Sequence, residues 1–429
     1  MIETRGALAM VPMFASAVVM QAMLSASNLL VGVILIRNTP DLQYGSYVLM
    51  LNGILLLTVL QQSFIQPQFV VRVSRANASE RADLVGGLYR EQRRLWPSAA
   101  ALIVFISLLL WFVGALQTPT FLIVLAAAAA VLTTLYREFF RMVLLGYRKP
   151  LQVLGADAVY VALLLGGAVL ATMTAAPAAV AGLTLALAAL IGGVFCSRAL
   201  WRFEPWNIRG APGILLAITP LGAWASTGAA AHWLFGQGYN YLVAAVLNVP
   251  AVAALAATRL TIMPVTLVSS GIGTMMLPTT AAWLNTDSAP TVLRRLLLFA
   301  LGLGVASLCY FAVIWFTRDW LFAHVLKKNF PQRDPLLLLW FAVSLMTLLR
   351  DQLLYLLSAR QRFRLMTTLT LVSAVFSIGL SYVCMRYFGV IGALLGILVG
   401  ELLNVAGLVV LSAIESQRQI AIEGKPAVG

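Results

Sequence analysis

The sequence predicts an all-α polytopic membrane protein, with about twelve transmembrane helices in two six-helix lobes related by a parallel pseudo-two-fold repeat around a central cavity. Three observations carry this. Of 429 residues, 61% are hydrophobic and only 10% charged, against roughly 45–50% and 25% in soluble globular chains. So few charges cannot cover a soluble surface, which excludes a soluble enzyme, a secreted disulfide scaffold and a disordered regulator. The apolar residues fall in runs of spanning length, about 20 residues each. Finally, an arginine–acid dipeptide recurs inside two of those runs, as Arg137-Glu138 and Arg350-Asp351.

The spans follow in order. The first, 10–35, comes directly after Met1–Arg5; it is longer than the apolar core of about 7–15 residues in a signal peptide, so it reads as a retained helix despite the spacing at Ala15–Ala17. The second, 45–67, carries Asn52, Gln61, Gln62 and Gln66, which should face protein or water and point to a cavity wall. Gln68 to Arg94 is the longest connection. Within it, Asn77-Ala78-Ser79-Glu80 has capping-box spacing. Leu84, Val85, Leu88 and Tyr89 make a stripe beside Arg81, Arg90, Arg93 and Arg94, the pattern of a helix lying on the inner membrane surface. Next come 95–117, 119–146 (long and charged), 151–173 and 176–198; small residues at Ala126–Ala130 and Ala175–Gly193 permit close helix packing. The second half reads 213–235, 250–277, 295–317, 335–357, 365–386 and 388–414. Trp96, Trp201, Trp206 and Trp283 sit where interfacial anchors belong.

Orientation follows from 29 basic residues against 15 acidic ones, a net charge of +14. Placing both termini in the cytoplasm puts 20 of the 29 on the inner side and 6 outside, as the positive-inside rule requires. That bias, beside anionic headgroups, accounts for the basic balance without nucleic acid as a partner. The outer loop 318–334, with four basic residues, is the exception. Cys196, Cys309 and Cys384 lack metal-ligand spacing, and only His232 and His324 are present, so neither a disulfide framework nor a metal centre is expected.

The repeat divides the chain into lobes 1–205 and 206–414 and a short cytoplasmic tail 415–429. Pro12 matches Pro220, Pro67 matches Pro278, and Arg137-Glu138 matches Arg350-Asp351, 213 positions on. An even number of spans per half gives both halves one orientation, a common transporter plan in which substrate meets both halves near the midplane.

Charges inside spans are costly and mark a cavity or a path. Arg259 has no acid in its own span. Its guanidinium could grip a phosphate with two parallel hydrogen bonds, or pair across helices with Glu401 or Asp157. Arg137, Arg141 and Arg148 form a basic stripe that could draw an anionic headgroup inward, or snorkel to the interface. Because adjacent helical residues diverge by 100°, the members of Arg137-Glu138 and of Arg350-Asp351 are not expected to stack on each other; structure or gating between lobes is the favoured role. Asp157 and Glu401 are isolated acids, candidates for H⁺ or Na⁺ coupling or for pairing with an arginine. No other cofactor is implied.

Three stretches resemble a known family. Ile36 to Tyr47, with Tyr44-Gly45 before Tyr47, is similar to the turn between helices one and two of polysaccharide-biosynthesis (O-antigen and exopolysaccharide repeat-unit) flippases of the multidrug/oligosaccharidyl-lipid/polysaccharide transporter superfamily. Asn248 to Pro278, with Ala257 and Arg259, is similar to their eighth helix, and Gly146 to Lys149 to their turn between helices four and five. His232 and Asn240 stand in the region where that family commonly has an acid near the end of helix seven. The resemblance implies a transporter, not an enzyme. It implies translocation of a polyprenyl-diphosphate-linked oligosaccharide from the cytoplasmic to the outer leaflet of a bacterial inner membrane, for lipopolysaccharide or exopolysaccharide synthesis. Arg259, Arg137 and Arg350 would then contact cargo, while Asp157, Glu401, Glu138 and Asp351 would serve ion coupling or gating. Membrane lipids and polysaccharide polymerase or assembly enzymes are the implied partners. The alternative is a cation-coupled multidrug exporter of the same superfamily, which should favour acidic cavity walls. A membrane polymerase or ligase would need a large outer loop, and the longest runs only from Thr317 to Arg333.

Overall fold

The structure, a computed structural model, describes residues 2–204, 206, 210, 212–360 and 362–423. Among them the chain forms fourteen α-helices and one π-turn, with no strand. The helices are α1 (Ile2–Asn38), α2 (Asp41–Arg75), α3 (Ala78–Phe112), α4 (Thr118–Gly146), α5 (Pro150–Thr172), α6 (Pro177–Phe203), α7 (Ile214–Gln237), α8 (Tyr239–Val246), α9 (Val249–Leu260), α10 (Met263–Thr286), α11 (Ala289–Trp320), α12 (Arg333–Ala359), α13 (Phe363–Phe388) and α14 (Val390–Glu423). Eleven of them are long and apolar enough to cross a membrane, twelve if the bent pair α9 and α10 is counted as one broken span. Proline opens α4, α5, α6, α9, α10 and α11 within their first two positions, where its missing N–H has no partner to lose. The basic positions Arg209 and Lys425 lie outside the described residues.

Four expectations are corrected. The surface helix after the second span does not form as a separate element. α2 continues to Arg75, and Asn77 restarts the chain: its Oδ1 accepts the Glu80 N–H at 2.9 Å while Glu80 Oε2 accepts the Asn77 N–H at 3.0 Å. The helix so capped runs unbroken into the third span. The stripe containing Val85 and Leu88 is buried in protein, and Tyr89 packs edge-on to Trp96 and beside Phe139 and Phe140. For the same reason Trp96 and Trp206 are buried members of an aromatic cluster, not interfacial anchors; Trp201 is the exposed one.

The eighth span is broken. α9 and α10 meet at 60° because Pro264 offers no N–H and its ring crowds the carbonyl four residues earlier, at Leu260. Local bonds take up the slack: Ile262 N–H donates to Arg259 O at 3.1 Å, and the Thr261 hydroxyl donates to Thr258 O at 2.7 Å. The Tyr310 hydroxyl donates to Thr261 O at 2.8 Å.

The outer basic loop is mostly helical. α11 continues to Trp320, followed by the π-turn Leu321–Leu326. Arg333 pairs with Asp319 at 2.6 Å and Asp334 at 2.7 Å, and Arg318 pairs with Asp334 at 3.2 Å. Two acids thus offset half of the basic residues that broke the charge pattern.

The chain divides into two compact units, residues 1–230 and 231–429, with the boundary inside α7. In the first, α6 packs against both α4 and α5, which touch each other little. In the second, α14 packs in the same way against α12 and α13. The repeat seen in Arg137-Glu138 and Arg350-Asp351 is therefore a repeat of helix packing too. Gly392, Gly396 and Gly400 line the α14 face against α13: an added Cβ at each would strike Cys384, Ser381 or Ser377. This lets Ser377 and Ser381 hydroxyls donate to Gly396 O at 3.1 Å and Ala393 O at 3.0 Å, the close approach that small residues permit.

Candidate functional site

In the first unit, four charges form one closed buried network. Arg137 on α4 donates from Nη1 to the adjacent Glu138 Oε1 at 2.6 Å and from Nη2 to Asp157 Oδ1 on α5. Arg141, one turn on, donates from Nε to Asp157 Oδ2 at 3.0 Å and approaches Glu138 Oε2 at 3.5 Å. Gln62 on α2 completes Glu138, its Nε2 donating to Oε2 at 2.9 Å. The Arg137 guanidinium lies over the Tyr160 ring at 3.8 Å. Gly192 on α6 makes the space, since a Cβ there would come within 3.3 Å of Arg137 Cδ. Two guanidinium groups meet two carboxylates, so the network is neutral, and every carboxylate oxygen accepts a hydrogen bond. Asp157, fully buried, is occupied by two arginines rather than standing alone. Arg137 and Arg141 do not act as a free cationic stripe. Although adjacent helical positions diverge by 100°, Arg137 and Glu138 form an ion pair, because the long arginine side chain reaches sideways to its neighbour.

The second-span glutamines do not share one environment. Gln62 and Gln66 line an open cleft of about 580 Å³ together with Ala225 of α7. Gln61 instead turns inward, donating to Gln92 Oε1 at 3.0 Å and Leu135 O at 3.1 Å.

The second unit carries an unbalanced counterpart. Arg350 on α12 donates to Glu401 Oε1 on α14 at 2.6 Å and to the neighbouring Asp351 Oδ1 at 3.2 and 3.3 Å. Thr347 adds a hydrogen bond to Glu401 Oε1 at 3.3 Å. Here one guanidinium serves two carboxylates. Among the described residues, buried Glu401 Oε2 accepts no hydrogen bond, and neither amide atom of Asn404 finds a partner. Asn404 lies three residues after Glu401, on the same helix face. Asp351 is the partly exposed member, at 29%.

Arg259, in the last turn of α9, is set apart from both networks. It donates from Nη1 to Gln237 Oε1 at 2.7 Å and to the Tyr239 hydroxyl at 3.1 Å, and its guanidinium faces the Trp340 ring at 5.5 Å. It is half-buried. Among the described residues no carboxylate pairs with it; Glu401 and Asp157, its expected structural partners, are held by other arginines. Two neutral acceptors and a π-face orient the group without neutralising it.

Gln92, Tyr160, Gln237, Tyr239, Thr347 and Trp340 were not singled out by sequence. Gln92 accepts from Gln61, and each of the others meets its charged partner across a long stretch of chain or from a neighbouring helix; none departs from its local pattern. The described residues contain no cluster of His, Cys, Asp and Glu able to hold a metal.

No protein-family model matches the sequence, and no curated protein matches it. Solved structures do. An inward-facing multidrug resistance MATE-family transporter of the MOP superfamily superposes with a TM-score of 0.73 at 15% identity, covering 95% of this chain and 96% of its own. An outward-facing transporter of that description gives 0.64 at 14% identity, over 95% and 96%. A MOP-superfamily transporter from Pyrococcus furiosus, described by the reverse polarity of its binding pocket, gives 0.62 at 15%, over 97% and 96%. This protein therefore has the two-lobed fold of MATE transporters, and the matching structures are transporters rather than enzymes.

Proposed function

We propose that this chain is a cation-coupled exporter of the multidrug type, working by alternating access in a bacterial cytoplasmic membrane with both termini inside. The α12–α14 cluster carries the reading. Arg350 faces both Asp351 and Glu401, and Glu401 Oε2 lacks a donor. A buried carboxylate oxygen without a partner is costly, and H⁺ or Na⁺ at Glu401 would satisfy it. The ion would also weaken the hold of Arg350 on Glu401, linking ion occupancy to the packing of α12 on α14. Full-length likeness to multidrug MATE transporters supports the cargo class. In proteoliposomes, Glu401→Gln should uncouple substrate efflux from the H⁺ and Na⁺ gradients. Efflux that follows the gradient as in wild type would sink the assignment.

Arg259 favours a second reading, translocation of a polyprenyl-diphosphate-linked oligosaccharide. A half-buried guanidinium held by two neutral acceptors and an indole face keeps its charge for an anion such as diphosphate. Depleting the protein in its host and analysing polyprenyl-linked saccharides by mass spectrometry, with sidedness checked in spheroplasts, separates the readings. A completed oligosaccharide-lipid trapped on the inner face supports the flippase. Drug accumulation with no trapped lipid supports the exporter.

A further inference from the structure

We propose that a cleft between the middle of α3 and the end of α6 binds the phosphate headgroup of an anionic membrane lipid. The cleft, about 630 Å³, is lined by Arg93, Arg198 and Arg202 with Tyr89, Trp201 and Trp206. Arg198 and Arg202 are one helical turn apart on α6 and so share a face, and Arg93 comes from α3. All three are exposed. None has an ion pair among the described residues, although acids lie close in sequence. Those acids are committed elsewhere: Glu204 pairs with Arg81 at 3.0 Å, and Glu91 accepts the N–H groups of Gly213 and Leu215. Three positive charges are thus gathered without a counterion.

The surroundings distinguish a lipid from a soluble anion. Two spans precede the third, which the sequence starts at residue 95, and six end with α6, both even numbers, so Arg93 and the end of α6 lie at one face of the membrane. Near the arginines in sequence, Leu95, Phe195 and Phe203 are about half exposed, at 55%, 49% and 47%, apolar surface of the kind that acyl chains cover. Trp206 is 8% exposed, and its buried indole N–H finds no acceptor among the described residues. It is held edge-on to Tyr89, ring centroids 4.8 Å apart, and to Trp201 at 5.6 Å. A phosphate in the cleft supplies the missing negative charge, with arginine as the residue best shaped to receive it. Neither proposed cargo uses this cleft, so the proposal stands apart from both transport readings.

The test is lipid retention by the purified full-length protein in mixed micelles, read by native mass spectrometry with phosphatidylglycerol, phosphatidylcholine and inorganic phosphate as separate probes. Wild type should retain phosphatidylglycerol over phosphatidylcholine. Arg93→Gln, Arg198→Gln and Arg202→Gln should each weaken retention about 5-fold, and the triple variant on the order of 100-fold, while Arg198→Lys keeps most of it. The substituted side chains are exposed, and a monodisperse elution profile checks that the fold is intact. Equal retention of the two lipids, or wild-type retention by the triple variant, overturns the proposal. Inorganic phosphate binding that is lost in these variants while lipid retention stays unchanged overturns it in favour of a soluble anion.

Discussion

At the scale of single residues, the same arginine chemistry serves three ends according to its partners. Arg137 neutralises two buried acids, Arg350 leaves one carboxylate oxygen unserved, and Arg259 meets only neutral groups. These differences set distinct costs for removal. Arg137→Ala strands Glu138 and Asp157 in a dry interior beside Arg141 alone, and should cost about 3–5 kcal/mol, seen as a large drop in thermal stability in detergent. Arg259→Ala leaves Gln237 and Tyr239, which carry no charge, and should cost only about 1–2 kcal/mol while altering transport. Equal destabilisation by the two variants would contradict this division of roles.

At the scale of elements, packing rests on where the helices break and where they approach. The α13–α14 contact depends on glycine. Gly396→Ala puts a methyl against the Ser381 backbone and should cost about 1–3 kcal/mol through overpacking. Gly379→Ala on α13 meets open space and should be neutral or stabilising by up to about 1 kcal/mol. Melting both variants by size-exclusion thermostability checks the contrast. The break between α9 and α10 holds Arg259 at a helix end instead of mid-span, and Tyr310 covers the carbonyl that the break frees. Tyr310→Phe should lower stability by about 1 kcal/mol, and an unchanged melting temperature would mean water replaces that hydroxyl.

At the scale of the whole molecule, eleven or twelve spans and a charge bias define a multi-pass protein, and between α11 and α12 Asp319 and Asp334 hold Arg318 and Arg333 in ion pairs. With the termini inside, a cysteine at Lys327→Cys should react with a membrane-impermeant maleimide in intact cells, and one at Arg148→Cys only after the membrane is opened. The background for both would have Cys196, Cys309 and Cys384 replaced by serine. The reverse labelling pattern would invert the topology.

The sequence by itself determined the class, the approximate number of spans and the repeat, because the bilayer reads hydropathy and length along one chain, and because Arg137-Glu138 and Arg350-Asp351 carry the repeat in plain view. It also exposed the list of intramembrane charges, since any such residue stands out against an apolar run. Only the tertiary structure decided what those charges do. Whether Asp157 is an open acid or a clasped one depends on Arg137 and Arg141 reaching it from another helix, and Arg259 is distinguished by the absence of a carboxylate that sequence could not rule out. The bend at Pro264 and the continuous α3 belong to the same class, for a proline within a span is tolerated at Pro97 and Pro278 and breaks the helix at Pro264. Periodicity records which residues avoid water; pairing and bending depend on which helices meet, and that is a property of the fold in three dimensions.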